Sequence, residues 1–209
     1  MNKDKLKKLK ENFKIEGEII GLTYSNKPAS GGSSKRKFAC KSLSDAKFGK
    51  ITNVTRWNSS CPGGKYFLGF GKFPKRASPR CLVEIDKFFC NILIANKFYL
   101  QALPVPSNLA NYVVVGPIEK SNLSSDIVIF IEKPIVISKI LSKLAYYGAD
   151  NIDIIPFGPT CYSAIASPIV KFKSTLCFGD LSSRKICGIK NEELILSLIF
   201  NDFRYLLEE

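Results

Sequence analysis

Seven cysteines and no histidine set the chemistry open to this chain of 209 residues. Without an imidazole there is no Ser-His or Cys-His nucleophile pair, no histidine general base and no His-ligated zinc or iron. Any metal must be held by thiolates, carboxylates or carbonyls, and any acid or base must be Asp, Glu, Lys, Tyr or Cys. An odd cysteine count argues against a disulfide framework. In a reducing compartment the thiols are core residues, ligands or nucleophiles. No Cys-x-x-Cys pair occurs, so neither a zinc-ribbon nor a ferredoxin-type signature is present.

Position separates the cysteines. Cys61 precedes Pro62-Gly63-Gly64-Lys65-Tyr66. Proline suits the first turn of a helix, where its missing N–H costs nothing, which predicts Cys61 near an N-cap. Cys161, after Gly158-Pro159-Thr160, also stands where a helix should begin. Free backbone N–H groups and the helix dipole stabilise a thiolate at such places. Cys177 and Cys187 lie within two residues of a glycine, where backbone N–H groups can reach sulfur. Cys81 and Cys90 fall on or beside the apolar stripe of an expected helix and read as core.

Other side chains offer lesser chemistry. Asp180, in the Gly179-Asp180-Leu181-Ser182 turn, is a carboxylate able to orient a ligand or simply to make the turn. Tyr66 stands close to Cys61 and can donate to a ligand. Gly63 and Gly64 would let a helix N-terminus approach a phosphate, although neither they nor Gly31-Gly32-Ser33-Ser34-Lys35 form a Walker loop. A thiol enzyme would use Cys61 or Cys161 as nucleophile, with Lys65 or Lys41 nearby.

The net charge of +13 is uneven: residues 1–80 carry 19 basic against 5 acidic side chains, and the remainder is nearly balanced. Such a field favours an anionic partner: nucleic acid, an acidic protein or a phosphorylated small molecule. A lysine-rich solvated surface reads the same way. Trp57, Tyr66, Phe67, Phe70 and Phe73 interleave with Arg56, Lys65, Lys72, Lys75, Arg76 and Arg80, the mixture that single-stranded nucleic acid requires.

The elements that must position these residues follow from periodicity. Helices are expected over 3–14, to about 48 after the Lys35-Arg36-Lys37 run, from Pro62, over 81–100 as one piece, over 134–147, from Cys161, and over 191–207 with Asn191 as N-cap. Strands are expected over 19–24, 51–57, 112–117, 127–131, 152–156, 174–178 and 184–189. The pattern is one α/β (α+β) domain over residues 1–209, a mixed sheet flanked by helices. No apolar run approaches the roughly 20 residues of a membrane span, and the basic N-terminus lacks the apolar core of a secretory signal. The expected setting is cytoplasmic, with no membrane.

Four blocks together resemble the DUF 169 family (domain of unknown function 169). They are Phe38-Ala39-Cys40-Lys41; Cys61-Pro62-Gly63-Gly64-Lys65-Tyr66-Phe67-Leu68-Gly69; Cys161-Tyr162-Ser163-Ala164-Ile165-Ala166-Ser167-Pro168; and Leu176-Cys177-Phe178-Gly179-Asp180. The likeness runs from about Ile19 to Leu198. It implies single-domain extent and directs attention to Cys40, Cys61, Cys161 and Cys177, without implying a mechanism. Four thiolates without histidine suit a zinc site made wholly of cysteine or an iron–sulfur cluster with a redox role. The expectation is that these four converge on one metal or cluster; the alternative is that they are buried core thiols.

Overall fold

The computed structural model describes residues 3–74, 77–120, 124–149 and 151–208. Seven strands form one sheet: β1 (Ile20–Ser25), β2 (Thr52–Val54), β3 (Tyr112–Pro117), β4 (Ile127–Glu132), β5 (Asp153–Ile155), β6 (Thr175–Cys177) and β7 (Leu194–Ile199). Their order is β2-β3-β1-β4-β7-β6-β5, with β5 and β6 parallel and every other neighbour antiparallel. The sheet is mixed, as expected, and it is open. Among the described residues the helices are α1 (Lys3–Phe13), α2 (Ala39–Lys47), α3 (Pro62–Phe67), α4 (Ala77–Glu84), α5 (Ile92–Gln101), α6 (Pro134–Tyr146), α7 (Ser167–Lys171), α8 (Leu181–Cys187) and α9 (Phe200–Leu206). A π-helical turn over Cys161–Ala166 runs straight into α7. None of these helices is long and apolar enough to cross a membrane.

The central strands are apolar on both sides because both sides are covered. From β4, Ile127, Ile129 and Ile131 join a core with Leu43 and Ala46 of α2, Cys187 of α8 and Ala164 and Ile165 of the π turn. Val128 and Phe130 point the other way, to Leu6 and Leu9 of α1, Ile137 and Ile140 of α6 and Phe203 of α9. A third cluster lies outside the first layer, where Phe67, Leu82 and Tyr99 from α3, α4 and α5 close over Cys161 and Tyr162.

Three expected elements differ. Residues 191–207 are a strand followed by a short helix. The run Leu194-Ile195-Leu196-Ser197-Leu198-Ile199 has no period that separates a buried strand from a helix, and pairing with β4 and β6 decides it. Asn191 therefore caps nothing. The expected strand 184–189 falls on α8 and the turn after it. Asp180 caps α8 by accepting from the Ser183 N–H at 2.7 Å, and Gly188 ends it in the left-handed region at φ 65°. The expected single helix 81–100 is two. It breaks after Glu84 and restarts at Asn91, whose Oδ1 accepts from the N–H groups of Leu93 and Ile94, both at 3.0 Å. Consequently Cys81 lies on α4, while Cys90, expected in the core, is exposed in the connection between α4 and α5.

Candidate functional site

A cavity of about 290 Å³ opens between the start of α2, the start of α3, helices α4 and α5, the π turn and α8. Cys40, Cys61, Cys81 and Cys161 all line it, together with Asp86 and Asp180. Three of the four expected thiols therefore share one space. The fourth, Cys177 of β6, is buried in the sheet core instead, where it lines no part of the cavity. Cys81, read from the sequence as core, takes the remaining place. The one signal that could have found it was Asn91, a residue type that favours an N-cap, directly before Ile92-Leu93-Ile94.

Local structure explains each placement. Cys61 is the N-cap of α3, with Pro62 in the first turn, and its Sγ accepts from the Gly64 N–H at 3.4 Å. Gly63 and Gly64 are buried where helices meet closely. A Cβ on Gly63 would come within 2.9 Å of Ser78 Oγ and 3.1 Å of Tyr99 Oη, and one on Gly64 within 3.1 Å of the Ala39 Cβ. The paired glycines thus bring α3 against α2 and α4, and the thiols with them. Cys40 is the second residue of α2. Cys161 opens the π turn, which is entered through tighter bonds, the Tyr162 and Ser163 N–H groups both donating to Pro159 O. Wide turns of this kind recur at functional sites.

The remaining candidates separate. Asp180 lies in the cavity wall, but its oxygens are occupied: Oδ2 accepts from Thr160 N–H (2.7 Å), Thr160 Oγ1 (3.0 Å) and Ser183 Oγ (2.6 Å), and Oδ1 from Ser183 N–H (2.7 Å) and Ser182 Oγ (2.6 Å). It is a buried hub that holds the π turn to α8. Lys65 and Tyr66 do not line the cavity. The Tyr66 ring packs edge-on against Phe67 and Phe73, and its hydroxyl donates to Tyr99 O at 3.5 Å. Of the four expected anion-binding positions on α3, only the two glycines reach the cavity.

The electrostatics of the wall are one-sided. Among the described residues lining the cavity there is no Lys or Arg. Burial pushes the Cys161 thiol well up, and the neighbouring Cys61 and Cys40 push it further. Burial also raises Cys61, and it raises Cys81 with help from Asp86 and Asp180. Cys40 is the exception. The Cys187 thiol donates to it and lowers its pKa, while the same bond holds the Cys187 proton in place. Asp86 is raised by burial and next by Asp180, although Ser182 N–H donates to it at 2.7 Å. Ser182 Oγ lies 2.6 Å from Asp180 Oδ1 and 3.2 Å from Asp86 Oδ2. One hydroxyl proton cannot serve both, and the shorter contact is the one to Asp180. Among the described residues no three of His, Cys, Asp and Glu stand close enough to share a single metal ion.

An open mixed sheet carrying a thiol-walled cavity between its covering helices marks a cysteine-rich α/β protein. The chain belongs to the DUF 169 family, whose model, described as "Uncharacterised ArCR", matches residues 8–209. It is similar to an uncharacterized protein of Methanocaldococcus jannaschii, with 24% identity over 141 residues, which cover 66% of this chain. The matched stretch spans 60% of the length of that curated relative. No solved structure matches.

Proposed function

We propose that Cys40, Cys61, Cys81 and Cys161 hold a thiolate-bound iron–sulfur cluster in the cavity, in a redox or ligand-activating role. The observation that carries this reading is the convergence of four thiols on one space whose described wall holds no cation. As thiolates they would repel one another, and a cationic group between them is the simplest relief. Sulfur ligands select thiophilic metals and iron–sulfur clusters. A lone tetrahedral zinc needs its sulfurs about 2.3 Å from one point, which no described trio approaches. A cluster distributes its thiolates over separate irons, so it suits ligands spread around a cavity of about 290 Å³. Two carboxylates in the wall and the absence of a described Lys or Arg disfavour a phosphate at Gly63 and Gly64. A nucleophilic Cys61 or Cys161 is disfavoured too, since burial holds both thiols protonated.

The test is iron, zinc and acid-labile sulfide content with a visible spectrum, on protein purified without oxygen. Iron and sulfide near stoichiometry are expected, lost in Cys61→Ser, Cys81→Ser and Cys161→Ser and kept in Cys177→Ser. Zinc alone with the same dependence would replace the cluster by a structural ion. A folded, colourless, metal-free protein would end the metal reading and leave Cys40, whose pKa the Cys187 thiol lowers, as a nucleophile.

A further inference from the structure

A second hollow shares no residue with the cysteine cavity. It is an open cleft of about 420 Å³ lined by Thr55, Arg56, Trp57, Asn108, Asn111 and Tyr112, with Gly69 and Phe70 at its base. Trp57 is 84% exposed, yet its backbone is fixed. Thr55 Oγ1 accepts from the N–H groups of Trp57 and Asn58, both at 3.2 Å, and Asn58 Oδ1 accepts from Thr55 N–H at 2.7 Å. The Asn58 amide then donates to Asn53 O (2.7 Å) and Ser34 O (3.1 Å). The last bond ties the turn to the basic loop. Lys37 N–H donates to Asn58 O and Ser60 N–H to Lys37 O, both at 2.9 Å, which ties the Lys35-Arg36-Lys37 backbone to the turn that carries Trp57. On the other side Asn111 N–H donates to Asn26 Oδ1 at 3.3 Å, next to Lys27.

Among the described residues Lys27, Lys35, Arg36 and Arg56 make no ion pair. Among the described residues that line the cleft none is acidic. An exposed indole on a rigid turn, a guanidinium and two amides in the same wall, and cations on the two segments tied to it match one ligand chemistry. We propose that this cleft binds single-stranded nucleic acid, with a base stacked on Trp57, a phosphate on Arg56, and Lys35, Arg36 and Lys27 following the backbone. Stacking accepts any base, so this contact gives affinity with little sequence preference. Of the other rings in the basic third, Phe67 and Phe70 are buried and Tyr66 packs in the aromatic cluster. Lys75 and Arg76 lie outside the described residues.

Trp57 is the sole tryptophan, so its fluorescence reports directly on the cleft. The full chain is titrated with an oligothymidylate of about 15 nucleotides, within the site sizes such grooves use. Saturable quenching at low salt is expected, weakening steeply as salt rises. By anisotropy of the labelled oligomer, Trp57→Ala should bind about tenfold more weakly, and Arg56→Ala should lose about one unit of salt slope. Thermal unfolding of each variant confirms that it is folded. Absence of quenching at low salt would overturn the proposal, as would unchanged oligomer affinity in folded Trp57→Ala. Equal affinity for thymidine monophosphate would overturn the polymer assignment and give the cleft to free nucleotides.

Discussion

The cysteine cavity and the Trp57 cleft lie at opposite ends of α3 and are built from opposite materials. At the N-terminal end, thiols and carboxylates line a largely apolar space, and several of those groups are themselves core. Past the C-terminal end, an indole and a guanidinium stand out from a polar turn. The excess positive charge of residues 1–80 does not reach the described cavity wall. A site assembled from buried groups is coupled to folding, whereas one assembled from exposed groups is free to vary. Substitutions in the cavity should therefore register as lost stability, and those in the cleft as lost affinity.

The largest expected effect is at Asp180. Asp180→Ala would leave two N–H groups and three hydroxyls without their acceptor in a site that is 3% exposed. The cost should be about 3 kcal/mol in urea unfolding of the metal-free protein. A change under about 1 kcal/mol would show that the wall is not coupled to the core.

Alkaline pH probes the same coupling. Burial pushes the Cys177 thiol up to about 11 from its ordinary value of 9.0, so the folded state favours the protonated form. That contribution is fully present below the ordinary thiol value and is lost as pH rises through about 11. That difference corresponds to about 2–3 kcal/mol. Cys61, Cys81 and Cys161 are shifted in the same direction and add to the loss. Denaturant titrations from pH 8 to 11 should therefore show falling stability, and Cys177→Ala should fall less over that range. For the same reason, metal loading of the cavity should release protons and tighten with rising pH.

Gly63→Val tests the packing that assembles the cavity. A side chain there must displace Ser78 and Tyr99, contacts already at 2.9 and 3.1 Å from the first added carbon. A loss of about 2 kcal/mol is expected, with Cys61 forced out of register with Cys161. Retained metal content in a folded variant would show that the glycine pair is dispensable to the site.

Much of this division was legible in residue types. Pro62 after Cys61 announces the α3 N-cap, Pro159-Thr160 announces the turn that opens at Cys161, and the short apolar runs announce β3 and β4. What failed depended on partners remote in sequence. Leu194 to Ile199 reads as helix until β4 and β6 are known to flank it. Cys81 reads as core on a helix running to Leu100, and only the restart at Asn91 turns α4 so that its thiol meets Cys61 and Cys161. Cys177, beside a glycine turn, had the local marks of a ligand. Its position in β6 between β5 and β7 commits it to the sheet core. The alternating basic and aromatic residues of the first 80 divide once folded, since most of those rings pack inward and Trp57 does not.

The smallest expected stability effect sharpens the contrast. At 84% exposure Trp57 has little area to lose from the core, and every hydrogen bond of its turn involves backbone or the side chains of Thr55 and Asn58. Trp57→Ala should change unfolding free energy by less than about 0.5 kcal/mol while leaving the metal content of the cavity untouched. Thr55→Val removes the acceptor that fixes the turn without touching the indole, so it should weaken oligonucleotide binding while Trp57 remains present. If Thr55→Val binds as tightly as the wild-type chain, rigidity of the turn is not what makes the indole a platform. If Trp57→Ala instead lowers stability as much as Gly63→Val, the indole is a structural residue and the two ends of α3 do not differ as argued.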